Sequence, residues 1–148
     1  MPSTHTSLHY HLVFSTKDRV SLIRAEWRND LHSYLGGIVE TLKGVPVKIG
    51  GVDDHVHLLI GLKPTHCLAD VLREIKKGSS EWVHNELQKN LFSWQPGYGA
   101  YTVSPTNINS VGRYIEKQEE HHQRKSFQTE YVEMLEAGCI EYDEQYLW

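Results

Sequence analysis

The sequence predicts an α+β domain: an antiparallel sheet in βαββαβ, ferredoxin-like order with helices on one face, followed by a C-terminal helical stretch that carries a tyrosine. Three observations lead there. Period-two apolar runs occur at residues 8–14, 45–52, 55–62 and 100–104. Helical periodicity fills the intervals between the first and second runs and between the third and fourth. Asp53-Asp54 supplies turn chemistry between the middle two, which pairs them as a hairpin.

Each element has its own warrant. In the first strand Leu8, Tyr10, Leu12 and Phe14 share one face, which leaves His9 and His11 on the other. A helix over about 24–35 presents Trp27, Leu31 and Tyr34 at helical spacing, and Gly36-Gly37 either stops it or lets it run on through 38–42. The long helix over about 68–87 carries Leu68, Val71, Leu72, Ile75, Trp82 and Val83, with Gly78-Ser79-Ser80 weakening its middle. A loop at 94–99 precedes the last strand. Pro105-Thr106-Asn107 opens a helix whose apolar stripe is Ile108, Val111 and Ile115. A final helix over about 126–136 ends at Gly138, before an aromatic tail of Tyr142, Tyr146 and Trp148. Such a sheet has an open second face, which a partner subunit, a C-terminal helix or nucleic acid must cover.

At 148 residues the chain is expected to form a single domain over 1–148. Hydrophobic residues at 39% and charged residues at 23% are ordinary for a globular protein. No apolar run approaches a membrane span, and the N-terminus lacks the pattern of a secretory signal. Cys67 and Cys139 lie far apart without a CxxC partner, so neither a disulfide framework nor a zinc site is suggested, and a cytoplasmic setting is expected. The net charge of −4 excludes a protein that coats nucleic acid by bulk electrostatics. From Glu116 onward there are nine acidic and three basic side chains, a net −6, which leaves +2 for residues 1–115. Any grip on DNA is therefore expected to be local and to come from the earlier part of the chain.

Ten histidines are many for this length. His55 and His57, two apart on a strand, leave the same face about 6–7 Å apart and can converge on one divalent ion. Taken alone, the pair reads more readily as two half-exposed histidines on a strand. Tyr114 and Gln118 are four apart on the predicted helix and so neighbours on one face, which alone fits a solvated helix surface. Together the four supply the parts of one reaction. A phenol is a weak nucleophile until helped. Two sheet imidazoles and a helix amide oxygen make a three-ligand cation site with positions left open for a phosphate. Because Gln118 lies one turn from Tyr114, holding the cation also aims the phenol.

The runs DHVHLL at 54–59, WQPGYGAY at 94–101 and YIEKQEEHH at 114–122 resemble the single-tyrosine HUH transposases, more narrowly the IS200-like insertion-sequence type and its REP-associated relatives. The likeness extends from about residue 10 to about residue 131 in the same order and spacing. It implies that His55, His57 and Gln118 bind Mg²⁺ or Mn²⁺, and that Tyr114 is the nucleophile that forms a 5′-phosphotyrosine link and releases a 3′-OH. It also implies single-stranded DNA with a subterminal hairpin as partner, and a homodimer in which the tyrosine helix is shared between subunits. Exchange of one phosphodiester for another needs no ATP, and no GxxxxGK[ST] loop is present. Histidine ligands suit Mn²⁺ better than hard Mg²⁺.

Two other readings stand beside an active transposase. One is a domesticated hairpin-binding nicking protein that mobilises nothing of its own, and the other a non-catalytic nucleic-acid-binding module of the same fold. A two-histidine phosphodiesterase would need a second H-x-[ST] element, which His5-Thr6-Ser7 and His66-Cys67-Leu68 do not supply convincingly. Among smaller signals, Lys63, Arg73, Lys76 and Lys77 are candidate phosphate contacts or a solvated face. Trp94 and Tyr98 are candidates for stacking on unpaired bases or for anchoring the core. The resemblance suggests that His121 and His122 position DNA, although cationic residues near a helix C-terminus also have a structural use. His9 and His11 line a DNA groove or fill the sheet surface. Tyr131 is a rival nucleophile without a metal ligand at useful spacing.

Overall fold

A computed structural model describes residues 3–148. Four strands, β1 (His9–Ser15), β2 (Val45–Gly51), β3 (His55–Gly61) and β4 (Gly99–Val103), form one antiparallel sheet in the order β2-β3-β1-β4. Helices α1 (Ala25–Thr41) and α2 (Leu68–Glu86) cover one face. The sequence pattern dictates which one. Leu12, Phe14, Val56, Leu58 and Ile60 alternate onto that face and form the main core with Leu31, Leu35, Val39, Val71, Leu72, Ile75 and Val83.

The two long helices run unbroken through their glycines. Gly36-Gly37 lies inside α1, with Gly36 closely packed over Pro46 and Ile49 of β2. Gly78 lets α2 approach Ile38 of α1, where a Cβ would come to 3.0 Å from a methyl group. Ser79 is buried, donates to the Ile75 carbonyl at 2.7 Å and accepts from Trp94 Nε1 at 3.0 Å. Tertiary packing thus compensates for the low helical propensity of this stretch.

The open face is covered from within the chain. Helices α3 (Ile108–Glu116), α4 (Gln118–His122) and α5 (Phe127–Ala137) lie over it. Val13 packs with Phe127, Tyr131 and Leu135, while Leu59 packs with Val103 and Ile115. Tyr142 and Leu147 from the aromatic tail close over the first of these clusters, and Arg19 sits over the Trp148 ring at 5.0 Å. The expected single helix after Pro105 is in fact two, because Lys117 leaves helical geometry (φ −99°, ψ 24°). Among the described residues no helix is long and apolar enough to cross a membrane.

Candidate active site

β3 builds the floor of the site. His55, His57 and Leu59 point away from the α1/α2 layer, and the register sets Ser15, Val13 and His11 of β1 opposite them. Both imidazoles are fully buried. Each is held from behind through Nδ1: His55 lies 2.7 Å from Asp54 Oδ1, and His57 shares a 2.8 Å hydrogen bond with His11 Nε2. The His55 ring also stacks on Phe127 at 4.3 Å. Both rings therefore turn Nε2 toward the C-terminal helices, the orientation that outer partners impose on metal-binding histidines.

Three further side chains meet those nitrogens. Gln118, 1% exposed, brings Oε1 to 3.3 Å from His55 Nε2, while its own amide donates to the Tyr114 carbonyl at 3.3 Å. Glu130 of α5, 2% exposed, sets Oε1 3.1 Å from His57 Nε2, 3.5 Å from His55 Nε2 and 3.1 Å from His122 Nε2. One donor atom from each of His55, His57, His122 and Glu130 lies within 4.8 Å of all the others. Three imidazoles with a carboxylate and an amide oxygen form a donor set that fits a divalent transition-series ion. The electrostatics agree with that concentration of donors. Burial works to raise the Glu130 carboxyl, but the facing His55 and His57 outweigh it and hold it at about 2. Burial likewise works against a charged His55, yet Asp54 and Glu130 push it up to about 9. His57 is lowered, by burial first of all.

Tyr114 reaches this cluster from α3 of the same chain. Its half-buried ring lies 5.7 Å from the His57 ring and 6.2 Å from that of His11. The phenol donates to Glu130 Oε2, and His121 Nε2 stands 3.5 Å away. This reach depends on Gly50, opposite His57 on β2, where a Cβ would come to 2.5 Å from the Ile115 carbonyl oxygen. Only a residue without a side chain lets α3 settle this low. On its solvent side Tyr114 borders a cleft of about 360 Å³ lined by Arg113, Lys117, Arg124, His121, Glu120 and Ser110.

The structure thus brings together His55, His57, Tyr114 and Gln118, with His121 and His122 beside them. The other candidates lie elsewhere. Trp94 is buried among Phe14 and Phe92, with its indole N–H on Ser79, so it anchors the core. Lys76 donates to the carbonyls of Gln95 and Gly97 and sits over the Phe14 ring; it ties down the 94–98 loop and is not a free phosphate contact. Arg73, paired with Asp70, and the exposed Lys77 and Tyr98 stand on the α2 side, across the sheet from Tyr114. Lys63 follows the end of β3 remote from His55. Tyr131, 6% exposed, is buried in the apolar cluster under α5, which agrees with setting it aside. His11 is a buried partner of His57 and also borders a cleft between β4 and α5 with Tyr101 and Met134. Sequence reasoning missed Glu130 altogether: it lies 73 positions from His57, and a glutamate on a terminal helix carries no mark of burial.

Comparison with known proteins agrees with this geometry. The family described as IS200-like transposase matches residues 4–118. The ISDra2 transposase TnpA of Deinococcus radiodurans is 27% identical over 117 residues, covering 75% of this chain and 84% of that one. A solved transposase structure from Deinococcus radiodurans superposes with a TM-score of 0.64 at 27% identity, over 80% of this chain and 95% of that one. A REP-associated tyrosine transposase, solved bound to a REP hairpin, shares the fold at a TM-score of 0.60 and 14% identity, over 82% and 74% of the two chains. The strand that carries paired histidines, the helix that lowers a tyrosine onto them and the match over most of the chain lead to one conclusion: this protein belongs to the IS200-like transposase family.

Proposed function

We propose that the protein cuts and rejoins single-stranded DNA beside a hairpin, with Tyr114 as nucleophile and a divalent cation, Mg²⁺ or Mn²⁺, held by His55, His57 and Gln118. The observation that carries this reading is the phenol of Tyr114 standing over the His57 ring, 5.7 Å between centroids, inside one chain. When bound, the cation would polarise the scissile phosphate. The remaining work falls to the chain. The phenol oxygen attacks phosphorus, the bond from phosphorus to the 3′ oxygen breaks, and the strand leaves as a 3′-OH with the 5′ end on Tyr114. The phenol proton has a nearby acceptor in Glu130 Oε2, and the departing 3′ oxygen takes up one proton in exchange, so the step is balanced in protons. Rejoining runs the same exchange backward, one phosphodiester for another, so the bond energy is kept on the tyrosine.

Arg113, Lys117 and Arg124 border the cleft that opens onto Tyr114, and they offer three cations to strand phosphates despite the acidic balance of the C-terminal segment. A hairpin partner is supported by the REP-associated relative, which was solved with one. The homodimer expected from the resemblance belongs to the proposal, but sharing of the tyrosine helix does not, since α3 already carries Tyr114 to the histidines of its own chain.

The test is incubation with hairpin-bearing single-stranded DNA and Mn²⁺ or Mg²⁺. A protein–DNA adduct that survives denaturation should form, fail to form with EDTA, and disappear in Tyr114→Phe. An adduct that persists in Tyr114→Phe would remove the assigned nucleophile.

A further inference from the structure

The family match ends at Gln118, yet the donor atoms around His55 and His57 continue beyond it. His122 lies at the end of α4 and Glu130 one turn into α5, joined by a short loop and by the Ser126 cap, whose side chain accepts from Thr129 N–H at 3.2 Å. Nothing in helix geometry requires a glutamate to be buried here. A buried carboxylate is costly unless partners compensate for it, and Glu130 has three imidazole nitrogens at 3.1–3.5 Å from one oxygen. Three ring nitrogens that converge on one carboxylate oxygen form the packing of a ligand shell drawn in on itself. His121, adjacent in sequence, faces the other oxygen, Oε2, at 3.2 Å and stands outside the four-residue group.

We infer that Glu130 and His122 are ligands of the cation, so that the site is a three-histidine, one-carboxylate set which clasps α5 to β3 and selects a transition-series ion over Mg²⁺. The inference rests on the proposed function only in taking the His55/His57 floor as the cation's seat. Three imidazoles favour Mn²⁺ and its heavier neighbours, whereas Mg²⁺ seeks oxygen ligands and sheds water reluctantly. Gln118 is a weaker neutral donor beside this set. Because β3 and α5 both contribute, occupancy also ties the C-terminal segment to the sheet, and metal binding becomes part of its stability.

The experiment is calorimetric titration of DNA-free protein with Mn²⁺, alone and in excess Mg²⁺, for wild type, Glu130→Gln, His122→Gln and His121→Gln. Wild type should bind one Mn²⁺ that excess Mg²⁺ does not displace, with a rise in Tm. Glu130→Gln and His122→Gln should each lose about 100-fold or more in affinity, above the range seen when only an outer partner is removed. His121→Gln removes only an outer partner of Glu130 and should lose clearly less than either ligand variant, about 10-fold. Wild-type affinity in both ligand variants, or ready displacement by Mg²⁺, would overturn the inference. Should Glu130→Gln not fold, the half-buried His122→Gln decides alone, supported by Mn²⁺ broadening of the His122 ring signals in NMR spectra of wild type. The two readings fail separately. Tight Mn²⁺ binding without any DNA adduct removes the DNA chemistry, whereas an EDTA-sensitive adduct with unchanged Mn²⁺ affinity in both variants removes only the clasp.

Discussion

Asp54 and His11 show how individual residues prepare the site: each holds one imidazole by the nitrogen that faces away from the chemistry. His32 shows the opposite condition. Its Nε2 is buried without a hydrogen-bond partner, and burial, followed by the nearby Arg28, holds the ring down at about 4. Between pH 6.5 and about 4 the unfolded chain takes up a proton that folded His32 refuses, so stability falls as pH drops through that window and levels off below it. The slope from one such group is at most about 1.4 kcal/mol per pH unit. His32→Gln should therefore flatten the acid limb of a Tm-against-pH curve, and an unchanged limb would show that water already reaches the ring. At this scale legibility followed sequence distance. Alternation fixes the common face of His55 and His57, and a spacing of four keeps Gln118 beside Tyr114 even across the break at Lys117. It was the combination of the two pairs, with the family resemblance, that made them readable as a site. Glu130 was not, because only the finished fold sets it against β3.

Elements behaved as their contacts required more than as their propensities suggested. The strands and the two long helices followed from periodicity, with the end of α1 left open at Gly36-Gly37, and the hairpin turn followed from Asp53-Asp54. The weakness assigned to Gly78-Ser79-Ser80 did not break α2, because Ile38 fills the space over the glycine and Trp94 takes up the serine hydroxyl. The turn of non-helical backbone at Lys117 was invisible to periodicity, and it marks where the tyrosine-bearing α3 hands over to the ligand-bearing α4. Helix α3 rests on β2 at Gly50, with Lys48 and Glu116 paired at 2.9 Å at its exposed edge. Such an exposed pair contributes little. The glycine contributes much: Gly50→Ala places a methyl group against the Ile115 carbonyl, and overpacking of this kind costs about 1–3 kcal/mol. Adduct yield in that variant should fall at least tenfold while the α1/α2 core keeps its far-ultraviolet signature. Wild-type cleavage in Gly50→Ala would mean that the height of α3 does not matter.

The whole molecule divides its labour between two layers. One face of the sheet packs against α1 and α2 and holds most of the apolar burial; the other holds the imidazoles under α3, α4 and α5. Because the phenol and the histidines meet within one chain, two inactive variants should not rescue each other. A mixture of His57→Ala and Tyr114→Phe is expected to give no adduct above that of either alone, and recovery on mixing would reveal exchange of α3 between subunits. The charge balance averages over this scale and does not place individual side chains. The acidic count of the C-terminal segment pointed the DNA grip toward the earlier part of the chain, yet Lys117 and Arg124 stand with Arg113 beside the nucleophile.

The alternation along β3 has a consequence for the history such a chain can have. His55, Val56, His57 and Leu58 take turns between the two layers, so a one-residue slip in the pairing of β3 with β1 and β2 would swing both imidazoles into the oily side and aliphatic groups out beneath the tyrosine. The aliphatic residues of β3 guard against that slip, because their burial fixes the register in which the imidazoles face the chemistry. Descendants of this gene should therefore keep the alternation of β3 as closely as they keep its histidines.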